Sequence, residues 1–481
     1  MKLLLVGHDD RYAIEQLQLA LFPDETMEPA GETFSGDGAV SALHAGKRWL
    51  TATARITLHG VTARASRRMK LEEADVPSRR RLLQNAYYAA ATRLRTPPEW
   101  GSLSGVRPTK LTTRHLLAGG TEQSADRLMK ETYHVAPARR RLCVESSLAS
   151  LRAAERLRPG DVSLYIGIPF CPTRCAYCSF VSQTIGRQGA LLEPYLQALE
   201  REIEHTGRLL RGSGRTVRTL YIGGGTPTTL SAGQIARLMQ AIQAHFDLSD
   251  LIEYTVEGGR PDTLEPEKLS VLRSLGCGRI SINPQTMNDA VLRCVGRCHT
   301  GAQTVLAFRQ AREAGFEAIN MDLIAGLPTD CPESFAASLG QVLALEPENV
   351  TVHTLALKKG ADLYFSRMGL PDAGAVREML DGAERALREK GYRPYYLYRQ
   401  KYMSGSFENV GWSRPGFDCL YNIYMMEELH SVISLGGGGM TKINLPDGRL
   451  ERFHNPKFPQ QYIQRIEDVL KQKDAAFALL K

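Results

Sequence analysis

The sequence has no apolar stretch approaching the roughly 18 uninterrupted residues that a membrane-spanning helix needs. Residues 1–7 are apolar, but the run breaks at His8-Asp9-Asp10, too early for a signal-peptide core, and reads as a first β-strand. There is no low-complexity linker and no internal repeat. A secreted disulfide framework is also excluded. The nine cysteines are an odd number in a long chain, and three of them fall within eight residues. The net charge of +8 lies wholly in residues 1–160, which hold 25 basic and 17 acidic residues. Such an excess can attract nucleic acid or an anionic small molecule, but without interleaved aromatics or a nucleic-acid motif it reads first as a solvated basic surface, and no nucleic-acid partner is expected. A cytoplasmic location with no membrane span is the expectation.

The 481 residues are 43% hydrophobic and 23% charged. That balance is globular and excludes disorder, collagen and coiled coil. The length predicts about three units or one large barrel with extensions. Residues 1–158 read as an α+β domain with strands at 1–7 and 49–64 and helices at 11–22, 72–95 and 138–157. Pro159-Gly160 is a plausible seam. From residue 162, short apolar runs alternate with helix-length segments. The strands are predicted at 162–168, 219–222, 253–256, 279–283, 318–324 and 349–354. Helices at 192–209, 232–245, 265–275, 304–314 and 332–345 separate them. Six such units imply an α/β fold, a partial (β/α)6 barrel over residues 159–360, whose ligands sit at the strand C-termini. Residues 361–481 read as an extension against the barrel.

Cys171, Cys175 and Cys178 form C-x3-C-x2-C directly after the first barrel strand. Soft thiolates select iron–sulfur clusters, zinc or copper. Structural zinc takes four ligands, and no fourth Cys or His lies nearby in sequence. Three thiolates on a compact loop fit a cubane cluster with one iron left open to chelate a ligand. Gly223-Gly224-Gly225-Thr226 follows the second strand and lets a ligand approach the backbone closely. Glu257 ends the third strand, Gln285 follows the fourth, and Arg297 lies beyond it. Asp322 sits inside an otherwise apolar strand, which is costly unless it is paired. It is either a structural ion-pair partner or an acceptor for a ribose hydroxyl or a ligand amine.

The cysteine spacing, with Tyr177 before the last Cys, resembles the radical S-adenosylmethionine (SAM) enzymes. The resemblance implies a 4Fe-4S cluster whose open iron binds SAM, and one-electron cleavage to a 5′-deoxyadenosyl radical. The wider pattern over residues 160–450 is similar to the oxygen-independent coproporphyrinogen III oxidase family. The resemblance implies that Gly224, Gly225, Thr226, Glu257, Gln285, Arg297 and Asp322 contact SAM. It also implies that Tyr165, Tyr177, Ile324 and Ala356 line the nucleoside or a second ligand. Residues 395–401, 408–411, 415–416, 419–422 and 448–452 look like the HemZ branch, as does Gly105-Val106-Arg107-Pro108-Thr109-Lys110.

Two positions depart from the family members with established oxidase activity. Those carry a further Cys two residues after the third and a His two residues after the tyrosine, where this chain has Phe180 and Gly167. Three functions stay open. The first converts coproporphyrinogen III propionates to vinyl groups and needs a flavodoxin or ferredoxin-like electron donor. Its candidate cations for the carboxylates are Arg260, Arg399, Lys401 and Arg414. The second is a haem-binding chaperone, with His299 and His353 at strand ends. The third is a radical enzyme acting on another tetrapyrrole. Cys294, Cys298, Cys331 and Cys419 read as free core thiols rather than a second cluster.

Overall fold

The computed structural model describes residues 1–22, 25, 28–29, 36–358, 360–366, 369–400 and 407–480. The chain divides into two compact units. Of the described residues, the first holds those of Met1–Val144 with Arg399, Gln400 and Phe407, and the second holds the remainder.

The first unit carries a five-stranded sheet in the order β2-β1-β3-β4-β5. The strands are β1 (Lys2–Val6), β2 (Glu28–Pro29), β3 (Gly38–Ala45), β4 (Trp49–Leu58) and β5 (Val61–Lys70). Helices Arg11–Leu21 and Val76–Ala91 pack Ile14, Leu17, Leu83 and Tyr87 onto one face of this sheet. The predicted strand 49–64 is in fact two strands joined by a hairpin. His59 and Gly60 both take positive φ, 48° and 79°. Two left-handed residues make the tight turn whose twist suits a two-residue hairpin. Asp75 caps the second helix by accepting from Ser78 N–H at 2.8 Å.

The second unit is built on an eleven-stranded sheet in the order β14-β15-β13-β12-β11-β10-β9-β6-β16-β17-β18. Its centre is six parallel strands: β6 (Asp161–Ile168), β9 (Thr216–Gly224), β10 (Glu253–Gly259), β11 (Arg279–Ile282), β12 (Ala318–Ala325) and β13 (Asn349–Thr354). Two short strands, β7 (Phe170–Cys171) and β8 (Gln183–Thr184), pair separately. Helices Leu192–Arg211, Ala232–His245, Pro266–Ser274, Gly301–Glu313 and Pro332–Ala344 connect the six, as the alternation predicts. Ser231 and Thr300 begin two of them with capping boxes. The strand order does not return on itself, so the six parallel strands make a partial barrel rather than a closed one.

The C-terminal residues do not simply lie against this sheet but continue it. β15 (Glu408–Ser413) pairs antiparallel with β13, and β14 (Arg393–Arg399) lies outside it. At the other edge β16 (Ser431–Gly436) pairs in parallel with β6 over six residues, from Ser431 opposite Val162 to Gly436 opposite Gly167. β17 (Met440–Asn444) and β18 (Leu450–His454) extend it antiparallel. Lys473, on helix Ile466–Ala478, and Glu202 form a fully buried pair at 3.1 Å. Glu202 also accepts from Gly436 N–H (2.7 Å) and Asn455 Nδ2 (2.8 Å), and from the Tyr462 hydroxyl. Those bonds satisfy a carboxylate that burial would otherwise penalise.

Candidate active site

The cysteine loop leaves the C-terminal end of β6. Ala176 N–H donates to Val295 O (3.0 Å), the Thr173 hydroxyl to Gly296 O (3.3 Å), and Leu363 N–H to Ala176 O (2.9 Å). Arg174 donates to Gly360 O at 2.6 Å. The segments that follow β11 and β13 therefore grip the loop. Cys171, Cys175 and Cys178 are free and half-buried. Burial raises the Cys178 thiol pKa, and Cys175 and Cys171 push it in the same direction. Donors face two of the sulfurs. Thr226 Oγ1 lies 3.5 Å from Cys171 Sγ. Arg260 lies 3.9 Å from Cys175 Sγ, donates to Thr173 Oγ1 (2.8 Å) and holds Asp262 through two 3.0 Å bonds. Among the described residues, no three His, Cys, Asp or Glu side chains gather closely enough to hold one metal ion.

The glycine shelf lies against this loop. Gly224 has φ +117°, a conformation open to glycine. A Cβ on Gly225 would stand 2.5 Å from Phe170 O and 3.0 Å from Cys171 Sγ. A Cβ on Gly223 would stand 2.9 Å from Glu257 Oε2. Side chains here would fill the space between the cysteine loop and Glu257, so the shelf forms a cradle of bare backbone.

Glu257 accepts from the Tyr221 hydroxyl (2.6 Å) and from Gly224 N–H (3.2 Å). Burial, reinforced by the nearby Asp322 charge, pushes its carboxyl up to about 7 despite those donors. Asp322 accepts from Asn320 Nδ2 (2.7 Å) and faces His353 Nε2 at 3.6 Å. Burial pushes Asp322 up, but His353 and the donors from Asn320 and Thr351 outweigh it and hold the group below the usual carboxylate range. The two buried carboxylates are thus driven apart in acidity. Tyr398 hydroxyl lies 3.5 Å from His353 Nδ1 and extends the chain to β14.

Gln285 sits at φ +68°. Its N–H donates to Asp322 O (2.8 Å), and its carbonyl accepts from Ile324 N–H (2.9 Å). A left-handed glutamine is strained, and these bonds fix it. Its side-chain Oε1 is buried without a protein partner, as is Arg297 Nε. Arg297 otherwise donates to Asn283 O (2.5 Å) and Pro284 O (3.2 Å). Tyr177 packs with Ile324, Leu355 and Val295 in one apolar cluster and lies close enough to feel the Arg297 charge. Tyr165 stacks against the Tyr221–Tyr421 pair, with ring centroids 6.2 and 6.3 Å away. Ala356 lies half-buried just past β13, and only its place beside Leu355 brings it to this end of the sheet.

Several side chains of this site had no legible role in the sequence. Tyr421 stacks on Tyr221 at 4.5 Å from a helix, Leu420–Glu427, far along the chain. Glu253 anchors that helix by accepting from Leu420 N–H (2.7 Å) and Tyr421 N–H (2.9 Å). No local signal links these positions. The candidate carboxylate-binding cations are engaged elsewhere. Arg260 serves Asp262 and the cysteine loop. Arg399 donates to Leu103 O (2.6 Å), and Arg414 meets Glu346 at 3.3 Å. Lys401 lies outside the described residues. His299 is buried with Nδ1 3.8 Å from Asp262 Oδ1, and burial lowers its pKa to about 4, so the ring is neutral. The expectation of core thiols holds for Cys419 alone. Cys294, Cys298 and Cys331 are exposed, because they fall at a helix end and in loops at the surface.

A parallel βα sheet with a three-thiol loop at one strand end and a glycine shelf on the next defines a radical SAM enzyme. Residues 165–341 match the model of the Radical SAM superfamily. The chain is 39% identical over 382 residues to the oxygen-independent coproporphyrinogen-III oxidase-like protein HemZ of Bacillus subtilis, covering 78% of this chain and 76% of that one. It is 29% identical over 304 residues to the haem chaperone HemW of Escherichia coli, covering 63% and 76%. The solved structure of HemN from E. coli, described as a radical SAM enzyme, superposes with a TM-score of 0.54 at 29% identity, covering 66% of this chain and 72% of that one. The chain belongs to the HemN/HemZ/HemW family of radical SAM proteins. The cofactors of this class are a 4Fe-4S cluster and SAM, and the thiol loop, the bare-backbone cradle and the unpartnered Gln285 and Arg297 atoms fit that pair. Among the described residues, no helix is long and apolar enough to cross a membrane.

Proposed function

We propose that the protein oxidatively decarboxylates the propionate side chains of coproporphyrinogen III to vinyl groups, forming protoporphyrinogen IX. The juxtaposition of Cys171 and Glu257 across the Gly223–Gly225 cradle carries the reading, because it sets a soft ligand set beside a polar pocket for a nucleoside-bearing zwitterion. When bound, the cluster and SAM supply a 5′-deoxyadenosyl radical that removes a propionate hydrogen; carbon dioxide leaves, and one electron passes to an acceptor. Cys171, Cys175 and Cys178 hold the cluster. The backbone of Gly224, Gly225 and Thr226 receives the methionine end. Glu257 and Asp322 accept from hydroxyl or ammonium donors, and Gln285 and Arg297 offer their free buried atoms. Tyr165, Tyr177, Ile324 and Ala356 form the apolar walls. A flavodoxin or ferredoxin-like protein supplies the reducing electron. Likeness to HemZ supports the tetrapyrrole as substrate.

A second reading, haem carriage, is favoured by Phe180 and Gly167. Phe180 is 68% exposed beside the cysteine loop. A Cβ at Gly167 would meet Gly437 O at 2.8 Å, so the histidine of the oxidase pattern has no room there. One anaerobic experiment separates the two. Reconstituted protein, SAM, reductant and coproporphyrinogen III are followed by mass spectrometry. Substrate-dependent 5′-deoxyadenosine with vinyl products is expected. Slow, substrate-independent deoxyadenosine with stoichiometric haem binding would replace the oxidase reading with the chaperone.

A further inference from the structure

The basic excess of the first 160 residues has a geometry in the folded N-terminal unit. Leu50, Ala52, Ala54, Ile56 and Leu58 of β4 are buried against the helices. Alternation therefore turns Trp49, Thr51, Thr53, Arg55 and Thr57 to the opposite face. Strand register carries that face to the neighbours. Arg55 lies opposite Arg64 and Val40, Thr53 opposite Ser66, Thr51 opposite Arg68, and Trp49 opposite Lys70. The outward positions of β3, β4 and β5 contain no Asp or Glu; Glu28 lies only at the far edge, beside Lys2.

Arg55, Arg64 and Arg68 are exposed, and among the described residues none of them meets a carboxylate, whereas Lys70 reaches Glu72 (3.4 Å) and Glu73 (3.7 Å). Like charges directly opposite on a sheet destabilise it. Charge on the edge strand β5 protects against edge-to-edge pairing, but Arg55 lies on an interior strand, where that purpose is absent. Between the two arginines is a depression of about 360 Å³ bordered by Val40, Thr53, Arg55, Arg64 and Ser66. Trp49 is 41% exposed, and the Arg68 guanidinium lies 4.7 Å over its ring.

We propose that this face binds single-stranded nucleic acid. The track from Arg64 to Lys70 is about 20 Å long at roughly 3.4 Å per residue. It is a row of cations with Thr and Ser hydroxyls between them and an aromatic platform at one end. A phosphate backbone with a stacked base matches both features, since such proteins combine a cationic track with aromatic stacking. A compact carboxylate uses neither the length of the track nor the tryptophan.

The test uses the full chain and a fluorescein-labelled 12-nucleotide oligouridylate, with anisotropy read over a salt series. Binding that weakens with salt is expected. Each cation removed from the contact lowers the log–log salt slope by about 0.7, so Arg55→Ser/Arg64→Ser together lower it by about 1.4. That double variant keeps or gains thermal stability, because a repulsion is removed. Trp49→Leu weakens binding about tenfold with the slope unchanged. The proposal is overturned by absence of binding at the lowest salt or by wild-type binding in the double variant. Displacement of the RNA by polyglutamate or coproporphyrin III at equal charge concentration would also overturn it.

Discussion

Replacing Glu257 by Gln removes one charge while keeping the side chain's size and its contact with Tyr221. The wild-type carboxyl, pushed up to about 7 by burial and Asp322, is half-ionised near neutrality. In the proposed site a SAM hydroxyl or ammonium donates to the ionised form. SAM affinity therefore rises with pH up to about 7 and then levels. The ionised fraction is about one-eleventh at pH 6 and ten-elevenths at pH 8, which makes the affinity change about tenfold over that interval. In Glu257→Gln the pH dependence between 6 and 8 disappears. At pH 8 the loss of a charge-assisted bond, about 1.5–3 kcal/mol, weakens SAM about 10- to 150-fold. Stability moves the other way. A carboxyl whose folded pKa is raised contributes stability at low pH that is lost as pH climbs from its unfolded value of about 4.3 to 7. The variant, which cannot ionise, is therefore more stable relative to wild type at pH 8 than at pH 5, by an amount on the order of 3 kcal/mol. Equilibrium dialysis of labelled SAM against anaerobically reconstituted protein of matched iron content, at pH 6, 7 and 8, reads the first effect. A wild-type affinity flat across that range, or equal pH slopes in both proteins, refutes the reasoning.

Serine at Cys171, Cys175 or Cys178 reduces bound iron to background after reconstitution and abolishes SAM cleavage. Serine at the exposed Cys294, Cys298 or Cys331 leaves both intact, and iron analysis with deoxyadenosine assays distinguishes the sets. Gly225→Ala presses a methyl into Phe170 O and Cys171 Sγ; cluster retention falls while circular dichroism is unchanged, and wild-type iron content would contradict it. Gly167→His costs about 1–3 kcal/mol of stability by overpacking against Gly437, seen as a lowered Tm with no gain in vinyl-product formation. Glu202→Ala strands the buried Lys473 ammonium and costs about 3–5 kcal/mol in urea unfolding; a loss under 1 kcal/mol would show the pair to be dispensable.

The parallel core was legible because each βα unit is local. An apolar strand, a turn and an amphipathic helix all fall within about 40 residues, and helix 232–245 is read to the residue. The β4–β5 hairpin was hidden because a two-residue loop preserves the alternation of both strands. β15 and β16 escaped because every residue in them is buried. A strand covered on both faces shows no period of two. The thiol loop and glycine shelf are sequence-local and were found. The Tyr421 ring over Tyr221, and Glu253 as anchor for a helix more than 160 residues away, are products of tertiary pairing. Arg260 was legible as a cation near the site but not as the partner of Asp262 and the cysteine loop.

The pairing of β16 with β6 has a consequence for biosynthesis. β6 leads directly into the cysteine loop, yet its outer edge is completed only by residues 431–436. A ribosome making this chain has released the entire thiol loop and glycine shelf well before that edge is covered. The intervening interval leaves an unpaired strand edge beside reactive thiols, the kind of long-range closure that folds slowly and exposes a chain to aggregation. Maturation of this protein is thus ordered: the strand beneath the cysteines gains its last neighbour only after residues 431–436 have been made.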